Sequence, residues 1–421
     1  MYQLLLKIYH KCSGLAFVRA LGQMYRNGFP IGNLMAYIRI KKMHNHETSG
    51  KSKITMVFLV QDLTIWNKLK SVYVQLDSDE RFSTWILAIP DDVTQSGDDN
   101  YGDLKKMYPG AQIIDAKEKD GWYDLKQLKP DYVFFQRPYD TYLPVPYRSA
   151  NVAKYAKTCY LNYGYNFTDM ANLSMAKIFF RNIHLFFAEN EIYQKKNIDR
   201  FKYSHKKGYR KSYNLGYPAF QDFMSQQESV HSDGHYKVMW TPRWSEDVEV
   251  GGSNYFRFKD RMIDYIKDNK DTSLIFRPHP MLFSHSLEVG RMTEDEVKEY
   301  LKIFNENDRF LYDNGKEYAD KFWESDVLVT DFSSVIMEYY LTGKPIVYCP
   351  TGMKINPFFK DILSVNYVAD NWEDVDRILN RLKNGQDELK EARQKKVNQF
   401  IGDYKNISKR FANAIYEDYN N

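Results

Sequence analysis

From about residue 53 onward, short apolar runs alternate with amphipathic stretches, the trace that a parallel sheet covered by helices leaves in a sequence. Ile54–Val60, Thr84–Ile89, Ala111–Ile114, Tyr132–Phe135, Cys159–Leu161 and His184–Phe187 read as buried strands, with helices over Trp66–Leu76 and 190–206. A polar stretch, 226–234, interrupts the series, and the same pattern then starts again. Tyr236–Trp240, Thr272–Phe276, Val327–Val329 and Ile346–Cys349 are strands of this second set, with helices over 256–267 and 294–304. The tail from Trp372 to about Tyr416 reads as one or two charged helices. Two doubly wound sets joined by a linker predict an α/β protein of two Rossmann-like domains facing across a cleft. The expected divisions are an N-terminal extension over 1–52, domains over 53–225 and 235–371, and C-terminal helices over 372–421.

Composition changes this picture in two places. A chain of 421 residues with 43% hydrophobic and 27% charged content is folded and long enough for two cores. Its net charge of +4 is too small to point to nucleic acid. That charge is uneven, however. Residues 1–53 hold nine Lys and Arg against Glu47 alone, a balance of +8, together with apolar residues at loosely helical spacing. No run there approaches the roughly 20 apolar residues that cross a bilayer, and no small-residue cleavage site follows. Such a segment can lie on an anionic membrane surface, at the cytoplasmic face. It fits equally a helical extension packed on the first domain. Cys12, Cys159 and Cys349 lie far apart, with no disulfide or metal spacing, which suits a reducing compartment.

Candidate chemistry gathers in the second set. Three loops follow strands and should meet along one rim of that sheet: Thr241-Pro-Arg243-Trp244, Arg277-Pro-His279-Pro280 and Thr330-Asp331-Phe332-Ser333-Ser334. They supply two arginines, an imidazole, two hydroxyls and the expected start of a helix, where unpaired N–H groups favour anions. This set suits a diphosphate whose bridging bond is to be broken, because guanidinium forks hold phosphate oxygens and an imidazole can neutralise the departing one. Glu338, four residues past Ser334, is placed to accept ribose hydroxyls. Taken singly, each residue also has an ordinary reading. Asp331 and the serines would cap a helix, His279 would stiffen a turn, and Glu338 would be solvated.

The pair Arg277-Pro-His279-Pro and Thr330-Asp331-Phe332-Ser333-Ser334-Val, with Gly343-Lys-Pro345-Ile after it, resembles the CDP-glycerol glycerophosphotransferases, the teichoic-acid primases and polymerases of the bacterial envelope. Thr241-Pro-Arg243-Trp244 and Leu215-Gly-Tyr-Pro218 resemble further motifs of that family, and the likeness spans about 155–350. It implies a metal-independent GT-B-type enzyme without a cofactor. Such an enzyme moves a polyol phosphate from a nucleotide-activated donor to a lipid-linked polymer acceptor. By motif, His279 would assist departure of CMP, Ser333 and Ser334 would hold phosphate oxygens, Glu338 would face the ribose, and Arg277 would orient its loop. The family also carries a Trp-His-Gly-Thr loop in its N-terminal domain, whose histidine is the base toward the acceptor. Here Asn162-Tyr163-Gly164-Tyr165 stands in its place. Tyrosine, with a reference pKa of about 10, is a poor base at neutral pH. Asp169 and His184 are the alternatives nearby, His184 in a strand context that favours packing. That departure keeps two other readings open: a glycosyltransferase using a nucleotide sugar, and a catalytically weak GT-B binding module.

Overall fold

The computed structural model describes residues 30–44, 51–90, 99–165, 178–226, 234–315, 318–333, 335–401, 404 and 406–421. They form two compact units. The first takes the chain up to Gly164, the stretch ending at Ala219, and Asn406–Asn421; the second takes Phe220–Lys405 with Tyr165.

Strands of the first unit are β1 (Ile54–Val60), β2 (Phe82–Ala88), β3 (Ile113–Asp115), a small hairpin β4–β5 (Lys117–Glu118, Gly121–Trp122), β6 (Tyr132–Phe135), β7 (Lys157–Leu161), β8 (Leu185–Phe187) and β9 (Lys211–Tyr213). Seven make one parallel sheet in the order β3-β2-β1-β6-β7-β8-β9. All seven residues of β1 are buried, as a central strand covered on both faces must be. The second unit holds β10 (Tyr236–Thr241), β11 (Thr272–Phe276), β12 (Phe310–Tyr312), β13 (Val327–Thr330), β14 (Ile346–Tyr348) and β15 (Tyr367–Val368), parallel in the order β12-β11-β10-β13-β14-β15. Both are doubly wound Rossmann-like sheets, the fold class expected from the apolar pattern. Trp240, Tyr255 and Phe276 stack in the core of the second unit, under the amphipathic helix Tyr255–Asp268.

The chain passes between units at Ala219/Phe220, ahead of the polar stretch that reads as a linker and lies mostly outside the described residues. The reason is aromatic packing. Phe223 stacks on Trp323 at 5.1 Å and its carbonyl accepts the Trp323 indole N–H, so this segment is core of the second unit. The tail forms three helices rather than one or two, Trp372–Lys383, Lys390–Ile401 and Ile407–Asn420, and the last belongs to the first unit. Asp418 anchors it, accepting from Tyr132 Oη at 2.7 Å and pairing with Lys157 and Lys211 at 2.8 Å each. Burial opposes ionisation of Asp418, yet the hydrogen bonds and charges of His184 and Lys157 hold it well below the usual carboxylate range. At the other end, the helix Pro30–His44 packs Ala36, Ile40 and Met43 inward. Cys159 and Cys349 are buried free thiols.

Candidate functional site

β10 is where the second sheet changes direction, since the chain builds outward to β11 and β12 and then returns to place β13 on the other side. Ligands of open α/β sheets bind outside the carboxyl ends of the strands at such a point. Thr241 and Thr330 are paired in register there, with Thr241 Oγ1 donating to Thr330 Oγ1 at 2.7 Å.

Asp331, the next residue, turns inward rather than capping a helix. One carboxylate oxygen accepts from the backbone N–H groups of Arg243 and Asn254 at 3.1 Å each and from Ser253 Oγ at 3.4 Å. The other accepts from Asn254 Nδ2 at 2.8 Å, and that amide also donates to the Cys349 carbonyl. Asp331 thus ties its own loop to the one after β10, and Asn254 carries the link on to the loop after β14. Burial raises its pKa to about 6 against the opposing effect of these donors. Its part in the site is to hold the loops.

Arg243 rises from this platform. Its Nε donates to the Val250 carbonyl, its Nη1 to the Phe332 carbonyl at 3.3 Å, and it lies over the Phe332 ring. Gly251, at φ +117°, makes this possible, because a Cβ there would meet Arg243 Nε at 2.2 Å. His279 is tied to the same loop, its N–H donating to the Pro242 carbonyl at 3.0 Å. Its ring Nδ1 accepts the Met281 N–H at 3.2 Å, so the neutral imidazole carries its proton on Nε2 and presents a donor. Burial, with the Arg243 charge added, pushes its pKa down to about 4. Arg277 is engaged with Asp313 at 2.8 Å, with the Gly315 carbonyl at 3.0 Å, and with the Tyr318 ring. It therefore fixes its loop. Tyr318 in turn donates to the buried Glu338 at 3.0 Å, so Glu338 is far from a solvated helix residue. Ser333 is half-buried at the turn, and the helix begins only at Ile336 and ends at Tyr340. Ser334 and Asp169 lie outside the described residues.

The carboxyl rim of the first sheet carries the acceptor-side candidates. Asn162 and Tyr163 follow β7. Asn162 Nδ2 donates to Glu189 Oε2 at 2.5 Å, and the Tyr163 hydroxyl meets that of Tyr139 at 2.9 Å. Gly164 is half-buried beside them in sequence. Gln136, after β6, accepts from the N–H groups of Gln61 and Asp62, and Arg137 pairs with Asp62. Glu189, buried after β8, escapes a motif search. Its signal is a lone carboxylate directly behind the apolar run Leu185–Ala188. His184 sits at the opposite, amino edge of β8 and is fully buried, its pKa pushed down to about 4 by burial. Among the described residues no cluster of three His, Cys, Asp or Glu could hold a metal.

The profile of the family described as CDP-Glycerol:Poly(glycerophosphate) glycerophosphotransferase matches residues 185–415, more than half of the chain. The chain belongs to that family, one of transferases. Within the Bacillus subtilis (strain 168) minor teichoic acid biosynthesis protein GgaB, 217 residues align at 24% identity, 45% of this chain but 22% of that protein. The matched stretch therefore spans about a fifth of that relative's length. In fold it is similar to the wall teichoic acid polymerase TagF (TM-score 0.55, 12% identity, 93% of this chain and 99% of that one). A putative UDP-N-acetylglucosamine 2-epimerase from Listeria monocytogenes gives a TM-score of 0.58 at 12% identity, over 87% and 97% of the two chains. At these identities the likeness concerns the fold alone.

Proposed function

We propose that this glycerophosphotransferase-family chain moves a polyol phosphate, glycerol phosphate or a close analogue, from a CDP-activated donor to a hydroxyl of a membrane-linked acceptor. The product would be teichoic acid or a related capsular or cell-wall polymer. The observation that carries this reading is that the loops bearing His279, Arg243 and Ser333 are joined at the switch point of the second sheet, His279 to Pro242 and Asp331 to Arg243 and Asn254. A TagF structure soaked with CDPG supports the choice of donor.

In the reaction, the P–O bond to CMP breaks and a new P–O bond to the acceptor oxygen forms. Arg243 and His279 Nε2–H stabilise charge on the departing CMP phosphate. His279 is neutral when the site is empty, and a bound diphosphate would raise its pKa toward the range in which it can give a proton. The acceptor hydroxyl gives up its proton to solvent as the new bond forms. Association with the cytoplasmic membrane face is supported by the helix Pro30–His44, which exposes Leu34, Met35 and Ile38 beside Lys41 and Lys42. Among the described residues no helix is long and apolar enough to cross a membrane.

The test is incubation with radiolabelled CDP-glycerol, CDP-ribitol and UDP-sugars and a lipid-linked acceptor. The expected result is CMP release and polymer labelling with a CDP-polyol, cut roughly 10²-fold or more by His279→Ala. Turnover with UDP-sugars alone would contradict the reading, as would none with any donor.

A further inference from the structure

At the amino edge of the first sheet, opposite the Asn162–Glu189 rim, lies a cavity of about 590 Å³ between the helix Pro30–His44 and the helices Glu191–Arg200 and Lys202–Lys206. Arg181, Arg200, Lys202 and Arg210 line it, and among the described residues no aspartate or glutamate does. Arg210 is accounted for, donating to the Phe180 and Arg181 carbonyls at 2.7 Å each and lying over the Phe201 ring. Arg181 is not. It is 7% exposed, its Nε is buried without a partner, and its guanidinium hydrogen-bonds nothing among the described residues. Its neighbours are cations too. Arg39 and Arg200 press on its charge, and its Nη1 lies where a Cβ on Gly32 would stand, against the first turn of the 15-residue helix Pro30–His44. That turn carries partial positive charge of its own. A buried guanidinium that among the described residues faces only like charge is costly unless an anion completes the site. The remaining walls include Tyr37, Ile40, Phe201 and Tyr203, which suit an anion carried on a carbon chain.

We propose that this cavity is a second, phosphate-binding site that takes a phosphodiester of the acceptor polymer, away from the end that reacts. The polymer's chemistry rests on the function proposed above, while the demand for a phosphoryl anion rests on the arginines alone. An acceptor held at the amino edge of one sheet and reacting at the carboxyl edge would stay bound between successive additions.

Calorimetric titration of the full chain tests this with three probes at constant ionic strength: inorganic phosphate, a delipidated poly(glycerol phosphate) oligomer, and phosphatidylglycerol vesicles. Oligomer binding should weaken roughly tenfold in Arg181→Met and in Arg200→Gln. Arg200 is exposed, so that second variant folds whatever the first does. Arg181→Met should also melt no lower than the parent without ligand, because it removes an unmatched buried charge. CDP binding should be unchanged in both, which separates this proposal from the donor site: loss of CDP binding in the parent protein would strike the proposed function alone. Oligomer affinity equal in parent and variants would overturn the proposal. So would an arginine dependence seen only with vesicles, which would make the cavity a lipid-headgroup site.

Discussion

The two sheets share one strand order over six strands, the first adding a seventh at its edge, yet their carboxyl rims are held together by different means. In the second unit a single loop, the one after β10, meets three others: Asp331 accepts from its Arg243 and Asn254, Asn254 donates to the Cys349 carbonyl, and the Pro242 carbonyl accepts from His279. In the first unit the loops are joined in pairs, Gln136 to Asp62, Asn162 to Glu189, Tyr139 to Tyr163. A hub of this kind fixes several loops at once, those of Arg243, His279 and Ser333 among them. Pairwise joining fixes each neighbour only to the next, and it uses the polar groups of the rim on one another. The contrast fits a donor site that must be preorganised around a diphosphate and an acceptor side that admits a polymer end.

Breaking the hub's working edge should have the largest effect. His279→Ala should lower transfer roughly 10²- to 10⁴-fold while the melting curve stays near that of the parent, measured by CMP release and by calorimetry. Next, Asp418→Ala should destabilise the first unit by about 3–5 kcal/mol, because Lys157 and Lys211 would lose their buried partner. CDP binding to the second unit should survive it, as chemical denaturation and titration together would show. Asp331→Asn should cost about 1–3 kcal/mol, since an amide NH₂ would face N–H groups, and should raise the apparent Kd for the donor. Its effect depends on pH. The folded pKa of about 6 lies above the unfolded value of about 3.9, so the wild-type group's contribution is full below about pH 4 and is lost as pH rises through 6. The penalty of the variant should therefore be larger at pH 4 than at pH 7. The smallest change, read in the ligand-free protein and not in turnover, is expected from Arg243→Gln. Removing that cation should let the His279 pKa climb part of the way from about 4 toward its ordinary value, as seen by imidazole NMR.

Much of the scaffold is legible in the chain because buried parallel strands are continuous apolar runs. β1, β6 and β11 fall where the pattern puts them. β9, Lys211-Ser-Tyr213, is half-buried and has no such run, and β15 is two residues long, so neither leaves a signal. The three strand-end loops are legible as chemistry, since arginine, histidine and serine after successive strands must share a rim. What a sequence cannot display is direction. Asp331 looks like a helix cap and is a loop anchor, and Glu338 looks solvated and accepts from Tyr318. The return of the C-terminal helix depends on Asp418 meeting Lys157 and Lys211, residues more than 200 positions away in the chain. Glu189 was hidden for the same reason, its partner Asn162 lying on another strand end.

The central claim is that a nucleotide diphosphate docks against His279. The most direct measurement follows the His279 imidazole by NMR through a pH titration with and without CDP, assigned with His279→Gln. The account predicts a pKa of about 4 in the free protein and a clear rise with CDP bound, as a diphosphate near Nε2 favours the protonated ring. A His279 titration that CDP leaves unmoved, while CDP still binds, would contradict it.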